Sequence, residues 1–228
     1  VLKGISTDSD LAPSILAEEA AIYVSPWSFF TQTFFIREIV IESPSLSITQ
    51  RALMEKLPPY KRASGKTPSV IVRRIEIHKG TLFYKGEDII SDLFLTEINA
   101  TIQPDLNMQR FEVAVDGKGG RITARNVEKR IDRWGSKLAF LPGEISLKTS
   151  SVISGQTSLQ VVGTVRPGEG SVLELQVDAA LPIEEWGLSS LNGKRFTGKL
   201  NFQGRMAGPF PHLKVAGIAS LPHLFSNG

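Results

Sequence analysis

The sequence predicts a mainly β protein built as an extended antiparallel sheet, and three observations lead to this class. A thirteen-residue pattern occurs twice, and alternation of apolar and polar residues runs through the C-terminal two thirds of the chain. Turn signals separate the alternating runs at short intervals. Hydrophobic residues make up 41% and charged residues 21% of the 228 residues, which is typical of a folded chain and not of a disordered one.

The duplicated pattern occupies residues 36–48 and 72–84, thirty-six positions apart. Each copy reads as two short strands around a polar pair, Ser43-Pro44 or Lys79-Gly80, which predicts a β-hairpin. Side chains alternate across a strand, so the apolar positions of each copy can share one face. These positions are Ile39, Ile41, Leu46 and Ile48 in the first copy, and Ile75, Ile77, Leu82 and Tyr84 in the second. A repeated hairpin with one apolar face favours a sheet assembled by repetition.

The later part of the chain contains the clearest strands. Residues 195–206 alternate strictly, and residues 111–116, 159–165 and 173–181 follow the same period of two. Their apolar positions are Phe111, Val113, Val115, Leu159, Val161, Leu173, Leu175, Val177, Phe196, Leu200 and Phe202. Turn signals such as Asp116-Gly117, Pro142-Gly143, Ser154-Gly155 and Gly208-Pro209 separate the runs. This spacing predicts an antiparallel meander.

Helix signals are few. Residues 25–30 predict one helical turn with Ser25 as N-cap and Pro26 at the first helical position. Residues 51–56 and 182–190 are similar, and residues 60–69 predict a loop rich in Lys, Arg, Ser, Gly and Pro. Since no composition shift marks a boundary, we expect a single domain over residues 1–228.

A sheet with one apolar face must bury that face, and patterning leaves three arrangements open. The face could pack on a second sheet, fill a closed barrel, or line the groove of a folded-over open sheet. Small residues on the apolar faces, at Ala179, Gly198 and Gly204, favour a cavity or groove over a filled core.

Composition and spacing argue against several classes of function. The chain has no cysteine, so disulfides and thiol catalysis are excluded. The net charge of +3 gives no basis for a nucleic-acid binder. His78, His212 and His223 lie far apart in sequence without carboxylates at metal-ligand spacing, so we expect no metal, no cofactor and no enzymatic activity.

Two groups of surface residues have competing interpretations. The basic residues within 121–137 could hold lipid phosphates or contact an anionic membrane, although a solvated strand-turn face is the favoured interpretation. The aromatic residues Trp27, Phe29, Phe30, Phe34 and Phe35 could cap one end of a groove or form a plain hydrophobic plug. No apolar run is long enough to span a bilayer, and the chain starts at Val1. We therefore expect a fragment of a larger protein whose membrane anchor lies outside it.

The order of motifs resembles the AsmA-like family, which includes TamB-like proteins such as the inner-membrane subunit of the translocation and assembly module. The first motif, residues 39–46, is a strand ending in a polar residue followed by Pro and another strand, and residues 75–82 form a second strand–glycine–strand motif. The final stretch, residues 163–217, repeats a strand, a Gly, a few residues with Pro, and a strand ending in Gly. The resemblance covers residues 15–220.

This resemblance implies a long, curved antiparallel sheet folded like a taco around a hydrophobic groove, with a few short helices. It also implies a non-enzymatic segment that carries phospholipid acyl chains across the periplasm of a diderm bacterium, between the inner and outer membranes. The expected partners are phospholipid, the inner membrane through an anchor outside this chain, and an outer-membrane protein. The nineteen apolar residues of the repeated pattern and the alternating strands named above are then expected to line the groove. Two alternatives stay open: a β scaffold that assists outer-membrane protein assembly through exposed strand edges, and a closed barrel or sandwich that binds a lipid-like ligand.

Overall fold

A computed structural model describes residues 1–7, 14–30, 33–50, 69–86, 90–105, 109–124, 127–167, 172–184, 190–191, 194–209, 212–222 and 224–227. The chain is mainly β, as the sequence predicts, and among the described residues only Gln50 is α-helical. It divides into two compact units, Val1–Ile131 and Asp132–Gly228. Whether these units act as a single domain stays a prediction.

The first unit is a sheet whose strands lie side by side in chain order. Its strands are β1 (Leu2–Thr7), β2 (Ser14–Val24), β3 (Thr33–Glu42), β4 (Ser45–Thr49), β5 (Ser69–Val72), β6 (Ile75–Lys85), β7 (Ile90–Pro104) and β8 (Phe111–Ala124). The pairs β3–β4 and β5–β6 each form one long, kinked strand, because neighbouring strands pair with both members.

The second unit is also arranged in chain order. It contains β9 (Val127–Leu141), within which the boundary falls, β10 (Glu144–Ser154), β11 (Thr157–Arg166), β12 (Val172–Pro182), β13 (Ser190–Leu191), β14 (Lys194–Pro209), β15 (Lys214–Ser220) and β16 (Leu224–Asn227). All its pairings are antiparallel. The meander predicted from the alternating runs is confirmed here, with turns at Pro142-Gly143 and Gly155-Gln156.

The two predicted hairpins are wrong. The two copies of the thirteen-residue pattern pair with each other in parallel, so Ile39 lies opposite Ile75 and Leu46 opposite Leu82. The offset between partners is thirty-six residues, which is the spacing of the repeat itself. The sheet of the first unit is therefore mixed and not wholly antiparallel.

The chain does not reverse at the polar pairs because each pair contains a single left-handed residue. Ser43 has φ of 48° and Lys79 has φ of 53°. A two-residue hairpin of the common type needs positive φ at both central positions, which Pro44 cannot adopt. One left-handed residue instead kinks the strand and shifts its alternation, as in a β-bulge.

The kinks continue across neighbouring strands of the first unit. Glu97 on β7 has φ of 50° and Gly119 on β8 has φ of 81°. The turn expected at Asp116-Gly117 is therefore wrong, since β8 continues through it. Gly208 and Pro209, which the sequence also marks as a turn, are the last two residues of β14.

The one described helical element is the 3-10 helix Pro26–Phe29, with Ser25 at its N-cap position and Pro26 first in the helix. The Ser25 side chain makes no capping hydrogen bond. The helix expected at 51–56 and most of the loop expected at 60–69 lie outside the described residues, and Ser69 begins β5. Of the helix expected at 182–190, Pro182 ends β12, Glu184 has 3-10 helical conformation, residues 185–189 are not described, and Ser190 begins β13.

Candidate functional site

The apolar positions of the first unit form continuous rows that run across the strands. One row reads Ile22, Ile39, Ile75, Ile102 and Val113, and the next reads Ala20, Ile41, Ile77, Ala100 and Val115. Beyond the kinks, the rows are Ile15, Leu46, Leu82 and Leu95, then Ile48, Tyr84, Leu93 and Ile122. Directly opposed residues lie on the same face of a sheet, so each row is a strip of apolar surface. Phe111 lies opposite Pro104 at the margin.

The kink keeps the rows before and after it on one face. A Cβ atom placed on Gly80 would lie 3.3 Å from the Ile77 Cγ2 atom, although residues three apart in a regular strand point to opposite sides. The left-handed residue at Lys79 therefore reverses the alternation, which brings Leu82 and Tyr84 to the face of Ile75 and Ile77.

The second unit carries corresponding rows. They are Phe140, Ile145, Val165 and Leu173; Leu138, Leu147, Gly163, Leu175, Met206 and Val215; and Trp134, Val152, Leu159, Ala179, Phe202 and Ala219. Leu181 pairs with Leu200, and Val161 with Val177. Phe196 lies in β14, and its side chain is outside the described residues.

A polar pair interrupts the apolar face of the second unit. Ser136 and Ser150 lie directly opposite each other, in the row that continues into Val161 and Val177. Their hydroxyl oxygens are 2.6 Å apart, and Ser136 Oγ also donates to the Thr149 carbonyl at 3.2 Å. Because the two hydroxyls bond to each other and the Ser136 hydroxyl also bonds to the backbone, the interruption presents satisfied polar groups.

Glycine is not a sign of empty space at every position of these rows. A Cβ atom on Gly204 would lie 2.6 Å from the Phe202 Cζ atom, and one on Gly217 would lie 3.0 Å from Phe202 Cε2. The Phe202 ring therefore lies over both glycines. At Gly204 the cue for a cavity, drawn from small residues in the sequence, is wrong because an aromatic ring occupies the space.

The apolar rows remain partly open to solvent. Every residue expected to line a groove is half-buried, apart from Phe196, and the described residues include no large side chain that is fully buried. A filled core would bury these positions, so each unit keeps an accessible apolar face.

The opposite face of the first unit holds a charged cluster that sequence reasoning missed. His78 Nδ1 lies 2.7 Å from Glu42 Oε1, and His78 Nε2 lies 3.3 Å from Glu76 Oε2. Arg74 forms an ion pair with Glu76 and lies 4.0 Å from Glu38. The hydrogen bond with Glu42 raises the pKa of His78, and Glu76 adds to the shift. The sequence contains a signal for the contact between Glu42 and His78, because these residues are thirty-six positions apart, which is the spacing of the repeat.

The cluster does not amount to a metal site. Among the residues that the structure describes, no group of three or more His, Cys, Asp or Glu side chains is placed to hold a metal ion.

In the basic segment, Arg121 lies 4.0 Å from Glu128, and the Asp132 carboxylate accepts a hydrogen bond from the Gly155 amide. Arg125 lies outside the described residues.

Sequence reasoning also missed the rows contributed by β2, β7, β9 and β10. Leu93, Leu95, Ala100 and Ile102 alternate in the sequence, but the phase changes between Leu95 and Ala100 because Glu97 is left-handed. On β10 the register shifts between Leu147 and Ser150, with the same effect. In each strand a one-residue bulge therefore breaks the strict alternation by which a strand is recognised in the sequence.

No helix of the described residues is long and apolar enough to cross a membrane. Comparisons of the chain with family models, with curated proteins and with solved structures find no match.

Proposed function

We propose that this chain is a non-enzymatic segment of a lipid conduit, in which the apolar faces of its sheets hold phospholipid acyl chains. The proposal includes a taco-like groove, a place in the periplasm as part of an inner-membrane-anchored protein, and movement of lipid between inner and outer membrane. The resemblance to AsmA-like proteins supports the location and the groove.

The observation that carries the proposal is the accessible apolar face of each unit. Its rows run across five neighbouring strands in the first unit, and most of their side chains are half-buried or exposed. Each methylene group taken from water into an apolar surface contributes about 0.8 kcal/mol. A continuous apolar strip therefore lowers the free energy of an acyl chain along its whole length and needs no reactive group.

The test is the amount of phospholipid that the protein retains after incubation with vesicles, measured by mass spectrometry. Ile41→Asn places an amide in a row of the apolar face, and Val40→Asn places the same amide in the neighbouring residue, opposite Glu76 on the other face. An unpartnered amide in contact with an acyl chain is unfavourable, so we expect Ile41→Asn to lower the amount of retained phospholipid about tenfold.

Val40→Asn should retain as much lipid as the unchanged protein. Equal retention by the two variants would contradict the proposal, as would an unchanged protein that takes up no phospholipid.

A second candidate function is a scaffold that accepts an extended polypeptide at a strand edge. Among the described residues β15 pairs only with β14, and both of its faces are exposed, including Val215 and Ile218. An open edge is a template for an added strand, and a closed barrel would leave none. If the scaffold is the function, Ile218→Lys, at a position that lies opposite Gln203 and outside the apolar rows, should abolish binding of unfolded β-strand peptides and leave lipid retention unchanged.

A further inference from the structure

A cluster of exposed aromatic rings lies on one short turn of the first unit. Trp27, Phe29 and Phe30 are 71%, 80% and 81% exposed. The rings of Trp27 and Phe30 pack edge to face, with centroids 6.3 Å apart. Single exposed apolar residues are common, but three large aromatic side chains within four residues form a contiguous apolar patch.

The turn that carries these rings is fastened to the sheet by a buried serine. Ser28 is 5% exposed, and its hydroxyl accepts a hydrogen bond from the Phe35 amide at 2.8 Å and donates to the Phe35 carbonyl at 3.3 Å. The Ser25 amide donates to the same carbonyl at 2.8 Å. Pro26 fixes the backbone at the start of the turn. The rings are thus presented outward from a turn tied to β3, and their exposure is built into the turn.

Arginine side chains lie beside the rings. Arg37 and Arg73 are exposed and line, together with Trp27 and Ile71, a cleft of about 430 Å³. A neighbouring cleft of about 730 Å³ shares Arg37 and Arg73 and adds Arg74 and one carboxylate, Asp105.

The charges of Arg37 and Arg73 are available to a ligand. Arg74 is paired with Glu76, whereas Arg37 and Arg73 form no ion pair within the part of the chain that the structure describes. The Asp105 carboxylate accepts a hydrogen bond from the Gln109 amide. Two guanidinium groups therefore face a shared cleft next to the aromatic turn, and they occupy the same position in the two copies of the repeat.

We propose that the aromatic turn and these two arginines form a docking surface for a phospholipid bilayer that contains anionic lipids. Aromatic rings favour the boundary between headgroups and acyl chains, and guanidinium groups form paired hydrogen bonds with phosphate oxygens. The negative surface potential of such a bilayer attracts both arginines. This surface does not depend on acyl chains entering the apolar faces of the sheets, so it goes beyond the conduit.

The test is flotation of the full chain with vesicles of phosphatidylcholine, with and without a quarter of phosphatidylglycerol. One variant carries Trp27→Ser, Phe29→Ser and Phe30→Ser, and a second carries Arg37→Gln and Arg73→Gln. The controls are Ile153→Ser with Ile218→Ser, which removes exposed apolar side chains outside the apolar rows, and Lys199→Gln with Arg205→Gln, which removes two exposed charges elsewhere.

We expect the unchanged protein and both controls to float with the anionic vesicles. The arginine variant should lose about fivefold in partitioning for each charge removed. The aromatic variant should lose on the order of tenfold or more on both kinds of vesicle. Brominated lipids should quench the fluorescence of the unchanged protein more than that of Trp27→Phe.

Three results would overturn the proposal: no flotation of the unchanged protein, equal losses in the variants and their controls, or quenching that is unaffected by Trp27→Phe. If the rings bound a protein partner and not a bilayer, the unchanged protein would not float with the vesicles. Lipid retention by the sheet faces is measured separately with the Ile41→Asn and Val40→Asn pair, so failure of either idea can be told from failure of the other.

Discussion

At the scale of single residues, His78 is the most informative polar group because the protonation of its ring changes with pH. Both ring nitrogens lie near carboxylates, Glu42 on β3 and Glu76 on its own strand, and a protonated ring can donate to both. Arg74 and Glu38 complete the cluster, and Glu19 of β2 lies opposite Glu42. On the face opposite the apolar rows, the contact between His78 and Glu42 therefore links β6 to β3.

This cluster predicts a pH-dependent contribution to stability. Hydrogen bonding to Glu42 raises the pKa of His78 in the folded chain above its ordinary value of 6.5. The stabilisation is fully present below pH 6.5 and is lost as the pH rises through the folded-state pKa. We expect the unchanged protein to exceed His78→Gln in free energy of unfolding at acidic pH, with the difference vanishing at alkaline pH.

Urea titrations between about pH 5.5 and about pH 8.5 would measure this difference. Its size should be modest because the His78 side chain is 40% exposed. The variant Glu42→Gln, which removes the main cause of the shift, should flatten the same profile. A difference between the unchanged protein and His78→Gln that is constant over this range would contradict the assignment.

A second prediction at this scale concerns Gly163 on β11. Its φ is 143°, and a Cβ atom there would overlap the Glu174 carbonyl oxygen and lie 2.9 Å from the Leu175 Cα atom. Gly143 also has a positive φ, 75°, but nothing lies within 4 Å of its Cβ position. We expect Gly143→Ala to lower the free energy of unfolding by about 1–2 kcal/mol and Gly163→Ala by about 3–5 kcal/mol. Equal losses in denaturant titrations would mean that β11 and β12 do not approach as closely as described.

At the scale of elements, the parallel pairing of the two repeat copies decides the architecture of the first unit. The sequence contains this information, since the partner of each residue lies at the spacing of the repeat. The hairpin interpretation failed because the polar pairs were read as complete turns. One left-handed residue, at Ser43 or Lys79, bends the strand here, whereas reversal through a type I′ turn needs two.

The strain at the kink gives a prediction for β6. Lys79 has a left-handed backbone, and glycine adopts this conformation without the steric penalty of a side chain. We expect Lys79→Gly to raise the free energy of unfolding by about 0.5–1 kcal/mol. Lys85 is an exposed lysine at the end of the same strand with no left-handed backbone, so Lys85→Gly should lower the free energy of unfolding by a similar amount.

Thermal or urea unfolding of the two variants would distinguish them by sign. Loss of stability in Lys79→Gly, comparable to that in Lys85→Gly, would show that position 79 is not left-handed in solution.

At the scale of the whole molecule, the sequence predicts the β class and most of the strands that carry the candidate site. The runs at Phe111, Leu159, Leu173 and Leu200 lie on the expected strands because strict alternation survives there. The rows on β7 and β10 could not be predicted, because bulges near Glu97 and between Leu147 and Ser150 change the phase. The order of the strands in the sheet could not be predicted from alternation, because alternation within one strand carries no information about the strand beside it.

The same limit applies to the proposed membrane surface. The aromatic residues near position 30 are evident in the sequence, and the structure exposes Trp27, Phe29, Phe30 and Phe34 and leaves Phe35 half-buried. The contribution of Arg73 was not predictable, because it reaches this cleft only through the parallel pairing of β3 and β5.

The central claim is that the apolar face of the sheet contacts acyl chains and the opposite face does not. A photo-crosslinking amino acid placed at Ile77 or at Glu76 tests this directly, because the two residues are adjacent on β6 and point to opposite faces. After illumination with phospholipid vesicles, the crosslinked species is measured by mass spectrometry of the whole chain. We predict phospholipid adducts from position 77 and a background level from position 76. Equal yields from both positions, or none from position 77, would contradict the account.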